Sequence, residues 1–300
     1  MPSIEDFVVV RSVSSGAFGK VVLAKHRTKQ DNQLYAVKVM EKQHMLNKNM
    51  ADRINKEKNA LATSHSDYVV KIFYALESRS RIYLVMEYMV GGDLKSLLRR
   101  YIIFPQQVAT FYVAECALAL EYLHKHGIIH RDIKPDNILI GSNGHIKLTD
   151  FGLCNFKREN IDSGIIGTPD YLAPEIIREE PHTPAVDIWS LGVCLYEFLV
   201  GCPPFIDETV EKVFANILAR AIEYPEGEEA LSSKAVETIE VLLNPSVARR
   251  PSAVSLRGLP LFKDMDFVNM HKLEPPWIPE SGEHSGNTAD ECIADTLSAY

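Results

Sequence analysis

Three short runs within one stretch, residues 130–175, constrain this chain more than anything else in it. They read H-R-D-I-K-P-D-N from His130 to Asn137, D-F-G from Asp150 to Gly152, and A-P-E from Ala173 to Glu175. Asp132 is followed five positions later by Asn137 and, after an alternating strand pair around residues 138–149, by Asp150. This spacing lets two hard oxygen donors and one base converge on a single cleft, a set suited to magnesium and phosphate chemistry. Any one of these acids alone would read as an ordinary turn residue. The ordered set does not.

The N-terminal third supplies a cationic counterpart. Residues 34–39 alternate as a strand, and the inward lysine, Lys38, would be costly to bury without a carboxylate and an anion beside it. Two β-rich runs, 7–11 and 20–24, flank Ser14-Ser15-Gly16-Ala17-Phe18-Gly19, where glycines allow the backbone amides to approach phosphate closely. Residues 82–89 read as a buried strand entering Val90-Gly91-Gly92-Asp93, a hinge signal, with Asp93 placed to cap a helix. Residues 106–126 read as a long helix stopped at Gly127. Helical pattern is lost from about Asp264 onward, where Pro, Glu and Ser take over.

At 300 residues and 46% hydrophobic content, the chain can form one large or two modest cores. The charge balance, 32 basic against 40 acidic side chains for a net of −8, argues against a nucleic-acid or anionic-membrane surface. The five cysteines (116, 154, 194, 202 and 292) show no CxxC or zinc-like spacing, so reduced thiols in a cytoplasmic or nuclear protein are expected. The start, Met-Pro-Ser-Ile-Glu-Asp, has no apolar signal core, and the most apolar run, 186–200, is short and contains Asp187 and Glu197. No membrane partner is expected, and residues 186–200 read as a buried helix.

These motifs, in this order, resemble the eukaryotic protein kinases. Gly16, Gly19 and Val21 match that family's glycine-rich pattern, with Ser14 at the first glycine position, and Lys38 matches its strand lysine. The resemblance implies an α+β, bilobal protein kinase fold, with a small β-rich N-lobe carrying one main helix, a larger mostly α-helical C-lobe and a C-terminal tail. The corresponding ranges are 1–88, 89–264 with an activation segment at 150–175, and 265–300. ATP and Mg2+ are the implied cofactors. Asp132 would accept or orient the substrate hydroxyl proton, and Lys134 would reach the transferring phosphate as a point charge. Asn137 and Asp150 would hold magnesium, while Lys38 would anchor the nucleotide and pair with Glu57 in a helix at 52–62. Val13, Ser14, Ser15, Gly16, Ala17, Phe18, Gly19, Val21, Ala36, Met86, Glu87, Met89 and Leu139 complete the implied nucleotide site, although Met residues also serve as core filler. The Glu87 to Met89 backbone would bond adenine, and His130 and Phe151 would stack with Leu61 and Ile72. Glu175 would pair with Arg250, and Asp187 would tie back to the catalytic-loop backbone.

Finer features resemble the Greatwall branch of the AGC kinase group. They are Ile4-Glu5-Asp6-Phe7, residues 164–175, Pro225-Glu226-Gly227-Glu228-Glu229, Ser14, the absence of the usual activation threonine at Gly164, and the absence of a Phe-x-x-Phe ending. That branch carries a long insert between D-F-G and A-P-E which this chain does not. The branch implies a monomeric cell-cycle serine/threonine kinase acting on small endosulfine-type phosphatase inhibitors. Arg131 would pair with phosphorylated Ser163 or with Asp162, and Thr296 and Ser298 are candidate tail phosphosites. Asp93, Asp136 and Glu197 match positions that read arginine in basophilic relatives, and they read equally as solvated surface acids. Ser14 and Gly164 leave open a nucleotide-binding scaffold without transfer activity.

Overall fold

The computed structural model describes residues 2–16, 19–28, 33–42, 66–156 and 164–279. Among these, the N-terminal part is an antiparallel sheet in the order β1-β2-β3-β5-β4, built from β1 (Phe7–Gly16), β2 (Gly19–His26), β3 (Leu34–Glu41), β4 (Ile72–Glu77) and β5 (Arg81–Glu87). Successive side chains of a strand face opposite ways, and this decides which core each one joins. Tyr35, Val37 and Val85 enter a small cluster with Phe7, Val22 and Ala24. Met40, Leu84 and Met86, one step out of phase with these, enter the large cluster that continues into the helical part. Alternation places Lys38 on the second face, between Ala36 and Met40.

Two strands differ in extent from the hydrophobic pattern. β1 runs on to Gly16 because Ser12, Ser14 and Ser15 pair with Val22, Val21 and Lys20. Ladder hydrogen bonds are made by the backbone and need no apolar side chain at the sheet edge. β5 stops at Glu87 instead of Met89 because the next residues leave the sheet for the other lobe. There the Gly91 amide donates to Ile140 O at 2.9 Å and the Ile140 amide donates to Gly92 O at 2.8 Å.

The C-terminal part is helical, as the resemblance implies. It contains α1 (Leu94–Tyr101), α2 (Gln106–Lys125), α3 (Pro174–Ile177), α4 (Ala185–Val200), α5 (Val210–Ala219) and α6 (Ser233–Leu242). Asp93 caps α1 by accepting the Ser96 amide at 2.7 Å, and α2 stops beside Gly127. Two short antiparallel pairs lie at the junction, β6 (Ile128–Ile129) with β9 (Asn155–Phe156), and β7 (Ile138–Ile140) with β8 (Ile146–Leu148). Among the described residues, backbone contacts from the N-terminal part reach β7 and β8 at two places. Besides the Gly91 contact, the Val70 amide donates to Leu148 O at 3.0 Å and the Leu148 amide to Tyr68 O at 2.9 Å. The described part of the tail crosses the turn between these strands. At Gly144, with φ +82°, a Cβ would lie 2.4 Å from Trp277 O, so only glycine lets the tail pass. The tail reaches the hinge, with Pro279 packed against Gly91. The expected helix at 52–62 and Cys292 lie outside the described residues. Cys116, Cys154, Cys194 and Cys202 are free thiols, and among the described residues no helix is long and apolar enough to cross a membrane.

Arg250 ties the end of the activation segment to the large lobe. Its guanidinium donates to both oxygens of Glu175, at 2.8 and 2.5 Å, and to Ala185 O at 2.7 Å. It also lies 5.3 Å from the Trp189 ring centroid. Both side chains of the pair are almost fully buried, so removal of one partner leaves a charge without compensation. Arg250→Ala should lose about 3–5 kcal/mol of unfolding free energy, and Arg250→Leu with Glu175→Leu together should lose less. Urea denaturation followed by tryptophan fluorescence tests this, and a single variant as stable as wild type contradicts it.

Candidate active site

The loop carrying Asp132 begins where β6 ends, with Arg131 at φ +66°. A non-glycine residue held there costs on the order of 1–3 kcal/mol and persists only where its surroundings over-determine it. Asp187, from the first turn of α4, provides that constraint. Its fully buried carboxylate accepts the His130 amide at 2.9 Å, the Arg131 amide at 2.8 Å and a hydrogen bond from His124 Nε2 at 2.8 Å. Burial pushes this carboxyl upward, but the His124 contact, the His130 charge and the Arg131 amide outweigh burial and hold it below the usual carboxylate range.

Beyond that anchor the sequence-predicted groups come together. Asp132 Oδ2 accepts from Lys134 Nζ at 2.9 Å and from Asn137 Nδ2 at 3.0 Å, while Oδ1 accepts the Thr168 hydroxyl at 2.9 Å. Lys134 Nζ also donates to Thr168 Oγ1 at 2.7 Å. Asn137 spends its amide nitrogen on Asp132, which leaves its amide oxygen as the atom able to face a cation. Asn137 O accepts the Thr149 amide at 3.0 Å, which brings Asp150 to the same end of the β7–β8 ladder.

Asp150 also sits at positive φ, +60°. Its carboxylate accepts from Lys38 Nζ at 2.9 Å. Burial raises the carboxyl, yet the Lys38 ammonium and its hydrogen bond, the His130 charge and the Gly152 amide win and lower it. The next residue, Phe151, is fully buried with its ring centroid 4.8 Å from that of His130, and His130 Nε2 lies 2.9 Å from Thr149 O. The two acidic loops therefore share one packed joint. Ile72 is half-buried against the large core, while Leu61, Glu57, Ala17, Phe18, Asp162, Ser163, Thr296 and Ser298 lie outside the described residues.

Several of the remaining candidates for the nucleotide site lie on the strands next to Lys38. Ala36 pairs directly with Met86 across β3 and β5, and Val21 pairs with Lys38 across β2 and β3. Met86 and Met89 are buried in the large core and Leu139 packs half-buried against it. Gly19, at φ +128°, could not carry a Cβ, which would stand 2.3 Å from Val39 O. Ser14, Ser15 and Gly16 lie opposite Val21, Lys20 and Gly19, and Val13 sits in the bulge between Ser12 and Ser14. Glu87, the first of the three residues whose backbone the resemblance sets against adenine, ends β5. Its amide is spent on Lys71 O at 2.9 Å, and its carboxylate braces the hinge by accepting from Lys147 at 2.8 Å and from the Lys71 amide at 2.7 Å.

Sequence reasoning missed several contacts here. Arg131 donates from Nε to Leu153 O at 2.6 Å and places Nη1 3.2 Å from His182 Nδ1. The Thr168 bridge between Asp132 and Lys134 is announced only by the Gly-Thr-Pro run. The donor set fits magnesium with phosphate. One carboxylate and one amide oxygen suit an ion that takes most ligands from phosphate and water, and among the described residues no three His, Cys, Asp or Glu side chains cluster as an all-protein metal cage.

Residues 7–262 match the family model described as protein kinase domain. The chain is 40% identical over 310 residues to the probable serine/threonine protein kinase IRE4 of Arabidopsis thaliana, covering 93% of this chain and 30% of that protein. It is 36% identical over 324 residues to the serine/threonine-protein kinase Warts of Drosophila melanogaster, covering 91% and 29%. The serine/threonine-protein kinase greatwall of Xenopus tropicalis is 52% identical over 185 residues, 61% of this chain and 20% of that protein. The chain thus spans less than a third of the length of these curated relatives.

The depressed Asp150 carboxyl has a consequence for stability. A carboxyl held lower in the folded chain than its ordinary value of about 3.9 stabilises the fold above that value, and the contribution is lost as pH falls through the folded value. Lys38→Met removes the cation, so the difference in urea midpoint between about pH 7 and about pH 3 should shrink. A difference as large as in wild type would show that the pair contributes nothing.

Proposed function

The chain belongs to the protein kinase domain family as a serine/threonine protein kinase, and from that premise we propose that Asp132, Lys134, Asn137, Asp150 and Lys38 move a phosphoryl group from ATP to a protein hydroxyl. The observation that carries this reading is the Thr168 hydroxyl resting on Asp132 Oδ1 at 2.9 Å with Lys134 beside it. A serine or threonine hydroxyl approaching the same carboxylate would be oriented in the same way. Proteins of this family use ATP and magnesium. When bound, the magnesium nucleotide supplies the phosphoryl group and screens its charge.

Everything else falls to the chain's own residues. Asp132 takes the proton as the acceptor oxygen bonds to phosphorus and the bond to the ADP oxygen breaks. Lys134 neutralises charge on the transferring oxygens as a point charge. Lys38 holds the opposite end of the phosphates, and its pairing keeps Asp150 ionised and ready for a cation. The Asn137 amide oxygen and the Asp150 carboxylate would hold magnesium. Gly16 and Gly19 keep the backbone near the phosphates open to close approach. The aligned groups act mainly by position and charge, which is what phosphoryl transfer asks of a protein.

The finer reading is a Greatwall-like cell-cycle kinase, monomeric and working in cytoplasm and nucleus on small endosulfine-type phosphatase inhibitors. It rests on the 52% identity to the Xenopus greatwall kinase over 185 residues, together with Ser14, Gly164 and the run through Glu175. Purified chain and Asp150→Ala should be compared with magnesium ATP, using an endosulfine-type protein and a mixed serine/threonine peptide library as acceptors. Asp150→Ala should lose at least about 10²–10³-fold in turnover on both. Equal turnover of the two proteins would favour a scaffold, and transfer to the library without transfer to the endosulfine would remove the Greatwall-like role.

A further inference from the structure

The face that must receive the acceptor hydroxyl carries an ion pair that the transfer chemistry does not use. Glu197, on α4, is fully buried, and both of its oxygens are engaged. Oε1 accepts from Lys95 Nζ at 2.5 Å and Oε2 accepts the Tyr171 hydroxyl at 2.6 Å. Lys95 is the solvent side of this arrangement, its side chain 25% exposed against 0% for Glu197. The location ties the pair to substrate. Lys95 lies on α1, which packs against the Pro135–Asn137 turn just after Lys134, and α4 packs against the Pro169–Tyr171 turn just after Thr168. Ser190, on the same helix, holds that turn by donating to Tyr171 O at 2.8 Å. Lys95 and Glu197 therefore flank both halves of the place where Asp132 and Thr168 meet.

Two more acids face this corner. Asp136 is exposed, and its charge acts together with that of Glu197 on the Tyr171 hydroxyl. Asp93, at the start of α1, has its carboxylate spent on Ser96, accepting from the amide at 2.7 Å and from the hydroxyl at 3.0 Å. A buried carboxylate beside a peptide path would draw a basic side chain from the substrate, since a desolvated charge gains most from a hydrogen-bonded partner. Here the chain supplies that cation itself.

We propose that Lys95 is a specificity-determining residue that occupies the Glu197 carboxylate in place of a substrate arginine, making the kinase indifferent to basic residues around the acceptor. The proposal deepens the peptide-kinase reading and rests on it. An incoming guanidinium would have to displace a lysine already bonded at 2.5 Å, with the exposed Asp136 as a weaker, solvated partner nearby. Lys95 works by excluding a competitor and touches no reacting atom.

Positional scanning of serine/threonine peptide libraries tests this, with arginine, lysine and alanine compared at each flanking position for wild type, Lys95→Ala and Lys95→Gln. Selectivity is a ratio within one enzyme sample, so a general loss of rate in a variant cancels. Wild type should favour arginine over alanine by less than about twofold at every position, and each Lys95 variant should gain about fivefold to tenfold for arginine at one of them. Adding Glu197→Gln to Lys95→Ala should erase the gain. A strong arginine preference in wild type overturns the proposal, as do Lys95 variants with wild-type profiles. If Lys95→Ala fails to fold, Lys95→Gln and the wild-type profile still decide. Failure of the kinase reading looks different, because wild type would then phosphorylate no library at all.

Discussion

One buried carboxylate carries the catalytic geometry of this protein. Asp187 accepts two consecutive backbone amides, those of His130 and Arg131, at a point where the chain turns through a left-handed conformation that no glycine relieves. Without an acceptor these amides would be buried and unpaired, and the turn would relax. With it, Asp132 is presented one residue later at a fixed height above α4. The acidity of Asp187 follows from the same contacts, since it stays ionised despite full burial only because His124 and the loop amides compensate its charge.

Asp150, which like Arg131 sits at positive φ, is fixed by a different means. Lys38 pulls its carboxylate toward the sheet, and the Phe151 ring wedges against His130. His130 thus belongs to both halves, through its amide on Asp187 and its ring against Phe151 and Thr149 O. The lobes are joined by backbone as well. Residues before β4 and the hinge after β5 both add hydrogen bonds to the β7–β8 ladder, the strand pair that links the loops bearing Asp132 and Asp150. Positioning of this kind is the main contribution a protein makes to phosphoryl transfer.

Much of this was legible in the sequence because the key groups are close in the chain. Asp132, Lys134 and Asn137 lie within six positions, and a short strand pair returns the chain to Asp150. A loop of that length leaves few ways for the carboxylates to separate. The Glu175–Arg250 and Asp187 ties are remote in sequence and were reached only through family resemblance. Other contacts left no trace in pattern or spacing. Lys95 and Glu197 are 102 positions apart, each an unremarkable charge in its own helix. Nothing in the sequence announces that Arg131 donates to the Leu153 carbonyl. The serines of β1 conceal a strand because the edge ladder is made by backbone, and Glu87 turns out to brace the hinge with its side chain because Lys147 lies across from it. Periodicity reports which face is apolar. It does not report which polar partner a charge will find across the fold.

If buried polar contacts set the position of Asp132 and that position governs transfer, the Asp187 carboxylate is the group whose loss should show it. Asp187→Asn tests it most directly, since the substitution keeps the side-chain shape of α4 and removes the charge that holds the loop amides. The kcat for transfer to a peptide should fall by about a hundredfold, while affinity for the nucleotide should stay near wild type. An Asp187→Asn enzyme with wild-type kcat would contradict it.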